Sequence, residues 1–302
     1  MFDLVVIGHF AIDSILSSKI AVPRHALGGP ATYVSLAARK LNAKVSVISR
    51  VGEDFSEEYI QWLKANGIDL SGLKRVNNAL TTRFVLRYEN EERQLRLQSR
   101  APPITPEDVS DSLQARVIHV APIANELSAE VVDKLRTLTE TLSLDPQGFL
   151  RRFDGDGNVL LKGWKDAHVL EQIDLCKSSL DEIRMVTGLT DLRLAMERIR
   201  DYGAKAVIVT RGMRGSALLH ENRFYEIPAC KPRVIRDLTG AGDAFIGAFL
   251  AEYVRGEDPV WCMCVGSAAA SFVVEGVGPA VFGGRKEVHK RASEIHEKRT
   301  FK

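Results

Sequence analysis

The chain has 302 residues and a mass of 33.4 kDa, with 45% apolar and 26% charged side chains, a balance that excludes a disordered polypeptide. Its 41 basic and 39 acidic groups leave a net charge of +2, which gives no electrostatic reason to expect nucleic acid or an anionic membrane as partner. No segment reaches the roughly 18 uninterrupted apolar residues of a membrane span. The length suits one large α/β unit over residues 1–302 with a small appendage.

The start, MFDLVVIGHFAID, carries Asp3 and no basic leader, and reads as a buried first strand rather than a signal peptide. Helical spacing follows at 30–41, then a strand at 45–52. Further buried strands are predicted at 116–122, 141–146, 173–178 and 206–212. Helical patterns are predicted at 55–66, 106–115, 128–140, 180–187 and 190–202. Continuous Val/Ile/Leu strands separated by helices indicate a mostly parallel sheet covered on both faces, which binds ligands at the carboxyl ends of its strands. Residues 81–98 break this rhythm. Phe84, Leu86 and Tyr88 alternate on one side of the polar cluster Asn90-Glu91-Glu92, and Leu95 and Leu97 on the other, so the segment reads as a β-hairpin with one apolar face. Together with residues 14–27 it is expected to form a lid, and its apolar face also suits a homodimer. The basic tail from Arg285 has Val288, Ala292, Ile295 and Arg299 at helical spacing. The cysteines, Cys176, Cys230, Cys262 and Cys264, form no CxxC pair and read as buried reduced thiols, which implies a cytoplasmic location.

Several motifs fail. There is no Gly-Lys dipeptide and hence no P-loop, no HExxH and no GxSxG, and Phe245 stands where a GxGxxG would need its third glycine. Asp154-Gly155-Asp156-Gly157-Asn158 resembles a calcium loop only at its start, because Val159 and Lys165 occupy the positions that require glycine and glutamate.

Residues 237–250, DLTGAGDAFIGAFL, carry the chemistry. Small and apolar residues favour a helix from Ala241, and glycines at its start let backbone N–H groups turn inward. The helix terminus adds roughly half a positive charge. The result is an anion cradle without a lysine. Asp243 within it reads either as the proton acceptor for a hydroxyl beside a phosphate or as an N-capping aspartate.

DLTGAGD resembles the DTxGAGD signature of the ribokinase-like (PfkB) carbohydrate kinase family, with Leu238 in place of a small polar residue. Leu27-Gly28-Gly29-Pro30-Ala31-Thr32-Tyr33 followed by Val51-Gly52-Glu53-Asp54-Phe55 is similar to its N-terminal region. Thr210–Gly215 resembles its TxGxxG loop, and Ser179–Glu182 before Thr187-Gly188 its NxxE segment. The resemblance covers about residues 4–280. It implies a three-layer α/β/α sandwich with a small β lid, and an ATP- and Mg²⁺-dependent phosphotransferase acting on a hydroxyl of a small polyol. Carried over by position, Asp243 is the general base and the amides of Gly240, Ala241 and Gly242 form the anion hole. Asp13, Gly28 and Gly29 hold the acceptor. Thr210, Gly212 and Gly215 line the ATP site. Glu182 acts on Mg²⁺ through water, and Asp237 and Thr239 mark a monovalent-cation site, K⁺ in some members. Helix 260–274 and Gly276-Val277-Gly278 would flank the adenine.

Two positions depart from the pattern. Tyr33 replaces a usual Asn, reminiscent of the inositol-kinase-like branch, and either faces the acceptor or packs beneath the lid. Ser179 replaces the Asn of NxxE. The short stretch from Asp13 to Gly28 argues against ribose. The expected acceptor is a sugar or a cyclitol such as inositol. The alternatives are a nucleoside and, in a different class, a catalytically silent sugar- or nucleotide-binding regulator. A Rossmann oxidoreductase lacks its glycine fingerprint.

Overall fold

The computed structural model describes residues 1–17, 24–89, 92–164, 166–297 and 300–301. Its amino-terminal half runs β1 (Phe2–Ile7), β2 (Ala11–Ser17), β3 (Arg24–Gly28), α1 (Pro30–Lys40), β4 (Val45–Gly52), α2 (Glu57–Ala65), β5 (Asp69–Val76), β6 (Thr82–Glu89), β7 (Glu92–Ser99), β8 (Ala115–Val120), α3 (Ala129–Arg136), β9 (Thr141–Leu144), α4 (Gln147–Leu150), β10 (Arg151–Phe153) and β11 (Val159–Leu161). It continues with α5 (Ala167–Glu171), β12 (Leu175–Ser179), α6 (Leu180–Thr187), α7 (Leu192–Asp201), β13 (Ala206–Thr210), β14 (Ser216–His220), β15 (Arg223–Ile227), α8 (Ala241–Tyr253), α9 (Pro259–Val273), α10 (Arg285–His296) and β16 (Thr300–Phe301).

A ten-stranded sheet runs β16-β15-β14-β13-β12-β9-β8-β1-β4-β5. From β13 to β5 every pairing is parallel; β14, β15 and β16 extend it antiparallel. Alternate residues of β1 feed two apolar layers. Leu4 and Val6 pack with α1, α8 and α9, and Val5 and Ile7 with α3, α6 and α7. Burial on both faces explains why the central strands are continuous Val/Ile/Leu runs. The architecture is the expected α/β/α sandwich. Among the described residues, no helix is long and apolar enough to cross a membrane. All four cysteines are buried, and none forms a disulfide.

A second sheet of four strands runs β3-β2-β6-β7. β6 and β7 form the expected antiparallel hairpin, yet β6 also pairs in parallel with β2, so the hairpin lies in a mixed sheet and not in an isolated ribbon. The part of the 14–27 segment at residues 18–23, like Arg299 in the tail, lies outside the described residues.

The helix expected at 106–115 is instead a single 3₁₀ turn at Pro106–Asp108. Asp108 accepts from the Thr105 amide and is drawn into ion pairs with Arg50 (2.6 Å) and Lys74 (2.8 Å), and the chain leaves the turn extended at Val109. The Asp154–Asn158 segment is the turn between β10 and β11, in which Asp154 accepts from the amides of Asp156 and Asn158.

Candidate active site

The site lies where the central sheet's strands end and α8 begins. Asp13 stands beyond β1, Asp145 follows β9, Lys177 lies near the end of β12 and Thr210 closes β13. These are the carboxyl ends at which open α/β sheets hold ligands.

Helix α8 starts at Gly240, whose φ of 76° is left-handed, and no side chain caps it. Asp243 therefore sits in the first turn and is not the capping residue. The Ala241 amide turns back to the Leu238 carbonyl at 3.3 Å, and the Ala244 amide reaches the Gly240 carbonyl at 2.8 Å. Helix geometry leaves the first amides without intrahelical partners and facing outward. Close packing sets the helix in place: Gly247 lies against the Val34 carbonyl of α1, and Gly240 against the Tyr33 ring.

Two cavities meet at this helix start. One, of about 170 Å³, is lined by Asp13, Gly29, Tyr33, Thr239, Gly240 and Asp243. The other, of about 210 Å³, is lined by Thr210, Gly212, Gly215 and Ala241, with an apolar wall that includes Ile235 and Val274. Leu238 and Gly242 line both cavities. Most of the residues singled out in the sequence are thus brought together.

The exceptions are informative. Gly28 lies behind the first cavity, where a Cβ would overlap the Asp13 carboxylate, so it makes room for that side chain. Tyr33 lines the first cavity, yet it is 1% exposed and its ring packs with Ala37, Ala244 and Val273 under the helix start. Glu182 lines neither cavity. It forms a capping box with Ser179, accepting from the Ser179 amide at 2.7 Å. Asp237 accepts from the Thr239 amide at 3.0 Å, and the Thr239 hydroxyl is buried without a hydrogen-bond partner among the described residues. Gly276–Gly278 do not line the second cavity; Gly278 abuts Ala26 of β3 instead. Arg83 is held by Asp54 at 2.6 Å.

Phe84, Leu86 and Leu95 of the expected hairpin face also line the first cavity, and residues not foreseen complete it: Gln147, Arg151 and Lys177, which are polar, and Ile123. Lys177 carried a legible signal, because a lysine inside the buried strand IDLCKS has to be paired. Its ammonium lies 2.5 Å from Asp145. Burial pushes the Asp243 carboxyl up to about 6; Lys177 and Arg151 oppose that rise, and Asp145 and Glu182 add to it. A carboxylate poised near neutrality beside an anion cradle is equipped to take a proton.

The chain matches the family model described as pfkB family carbohydrate kinase over residues 1–282. It is 31% identical to a cytidine kinase of Thermococcus kodakarensis over 290 residues, covering 91% of this chain and 97% of that one. It is 25% identical to an inositol 3-kinase of Arabidopsis thaliana, covering 92% and 76%. Among solved structures, a pyrophosphate-dependent kinase of the ribokinase family complexed with a pyrophosphate analog and myo-inositol superposes with a TM-score of 0.80 at 24% identity, covering 95% and 99%. The chain belongs to the PfkB family of carbohydrate kinases and is a phosphotransferase acting on a hydroxyl of a sugar-like substrate.

Proposed function

We propose that the chain transfers the terminal phosphoryl group of ATP to a hydroxyl of a small polyol, a sugar or a cyclitol, held in the first cavity. The observation that carries this reading is that Leu238 and Gly242 line both cavities, so a donor in one and an acceptor in the other meet at the start of α8. Phosphoryl transfer asks a protein chiefly for such alignment and for charge neutralisation.

In this reading Asp243 accepts the acceptor hydroxyl's proton as the oxygen bonds to phosphorus, and the bond to the departing ADP oxygen breaks. The amides of Gly240, Ala241 and Gly242 face the phosphoryl oxygens. Asp13 and the Gly29 backbone hold acceptor hydroxyls, joined by Gln147 and Arg151. Gly28 and Tyr33 act from behind, shaping the cavity wall and the helix start. Thr210, Gly212 and Gly215 cradle the donor. The second cavity's wall of Ala229, Pro232, Ile235, Ala270 and Val274 suits a flat nucleobase, which favours ATP over pyrophosphate. The sheet of β2, β3, β6 and β7 supplies Phe84, Leu86 and Leu95 to the acceptor side and excludes water as a lid.

Mg²⁺ keeps most of its waters and needs only one or two carboxylates beside the phosphates. Glu182, with one oxygen spent on its cap, fits such a water-mediated role, and the ion would neutralise phosphate charge. Asp237 and the unpartnered Thr239 hydroxyl offer hard oxygen donors of the kind K⁺ takes. A nucleoside is the second reading, favoured by the apolar face of Phe84, Leu86, Leu95 and Ile123, on which a base could lie.

The test is consumption of MgATP, and of pyrophosphate in parallel, against pentoses, hexoses, sugar phosphates, inositols and nucleosides, with and without K⁺. Asp243→Asn should keep ligand binding and lose turnover about 10²–10⁴-fold. Near-normal turnover in that variant rejects the assignment. Thermal shifts without turnover on any acceptor would indicate a silent regulator.

A further inference from the structure

We propose that Lys177 is a catalytic residue of the phosphoryl transfer and that Asp145 positions it; the proposal rests on the kinase reading above. Lys177 is on β12, where its side chain is 4% exposed. A buried ammonium is costly unless paired, and the structural explanation would be that Asp145 simply neutralises it. Three observations go beyond that.

First, the ammonium reaches the helix start. It lies 3.0 Å from the place a Cβ on Gly242 would take, and Lys177 lines the acceptor cavity together with Gly240 and Asp243. Gly242 has ordinary helical geometry, so its lack of a side chain is explained by this space and not by backbone freedom. Second, an ammonium has three N–H bonds. Among the described residues Asp145 is the one acceptor that Lys177 donates to, at 2.5 Å, which leaves two donors beside the path of the phosphoryl group. Third, the pair is anchored to the acceptor site. Asp145 accepts from the Gln147 amide at 3.2 Å through its other oxygen, and Gln147 lines the cavity.

The charge is also held on. Burial works against it, but Asp145, Glu182 and Asp243 together keep the Lys177 pKa above the ordinary lysine value. Lys177 is therefore no proton donor. As the acceptor oxygen bonds to phosphorus, its proton passes to Asp243 and the electron pair of the breaking P–O bond goes to the ADP oxygen. Lys177 keeps all its protons throughout and donates hydrogen bonds to the equatorial oxygens, over which the migrating group's charge is spread in the transition state. Ser179, at the end of the same strand, has its hydroxyl committed to the capping box with Glu182, so the charge at this strand end comes from Lys177.

The test is steady-state kinetics of the full chain with MgATP and the acceptor found in the panel, for the wild type, Lys177→Met, Asp145→Asn and the double variant, each with a thermal melt. Lys177→Met should lower kcat about 10²–10³-fold with acceptor KM within about threefold. Asp145→Asn should lower kcat about tenfold with KM similarly preserved. The double variant carries no unpaired buried charge, so it should melt closer to the wild type than Lys177→Met does while kcat stays as low. A double variant whose kcat recovers to within about threefold of the wild type would make Lys177 a mere partner of Asp145 and overturn the proposal. So would a Lys177→Met effect confined to KM. A wild type inactive on the whole panel defeats the kinase reading itself, and this proposal with it.

Discussion

The ring of Tyr33 occupies the space that a Cβ on Gly240 would need. Gly240 is also left-handed at φ 76°, where a side chain is strained. The start of α8 is thus fixed twice, by backbone conformation and by the ring beneath it. Gly240→Ala should destabilise the fold by about 1–3 kcal/mol, as overpacking does, and lower kcat by at least about tenfold by displacing the amides that follow. Thermal melts and turnover check this together. Full turnover in that variant would mean that the helix start does not align the phosphate.

In the proposed reaction Asp243 should set the acid side of the pH profile. Burial raises its pKa to about 6, with Lys177 and Arg151 pulling it down and Asp145 and Glu182 pushing it up. A base must be ionised to act, so its working fraction is full above that value and lost as the pH falls through it. Turnover should be flat at neutral pH and decline about tenfold per pH unit well below 6. A profile still flat at pH 4.5, under conditions where the protein remains folded, would exclude Asp243 as the proton acceptor.

The parts legible in the sequence are those with local causes. Apolar runs located the parallel strands except β5, DLSGLKRV, a half-exposed edge strand with no continuous apolar run, and the glycines before Ala241 located the helix start. The hairpin at 81–98 showed in its alternation, but its parallel pairing with β2 did not, since register between distant strands leaves no local mark. Strands β14 and β15, SALLH and RFYEI, were missed because each is short and its neighbours already read as ends of a parallel unit. The helix at 106–115 was wrong because Asp108 is claimed by Arg50 and Lys74, both distant in sequence. At the site, residues in one motif were found. Gln147, Arg151 and Lys177 were not, because three-dimensional convergence alone brings them to Asp243.

The donor cavity can be tested separately from the acceptor. Ala270 of α9 forms part of its apolar wall. Ala270→Phe should fill the space, raising the KM for ATP by about tenfold or more while the acceptor KM stays unchanged. Varying each substrate at saturation of the other separates the two effects. A KM for ATP that is indifferent to the substitution would mean that the cavity does not hold the donor's base.

The outer strand of the four-stranded sheet, β7, is tied to the wall of the first cavity by the turn after β10. The Leu97 amide donates to the Gly157 carbonyl at 2.8 Å, and the Arg96 guanidinium donates to the Asp156 carbonyl at 2.5 Å. Gly157 is left-handed at φ 84°, and a Cβ there would overlap the Leu97 carbonyl. The same hairpin begins at Arg151, which lines the cavity and donates to the Ile123 carbonyl at 3.1 Å. The strap therefore links the four-stranded sheet, the proposed lid, to a guanidinium that lines the first cavity. Gly157→Val should break the link at a half-buried turn that lies outside the core. The melting temperature should fall by only a few degrees, acceptor KM should rise about three- to tenfold, and uncoupled ATP hydrolysis should increase as water enters. Measuring ADP release with and without acceptor reads all but the melt. Unchanged KM and unchanged background hydrolysis would show that the lid closes independently of this turn.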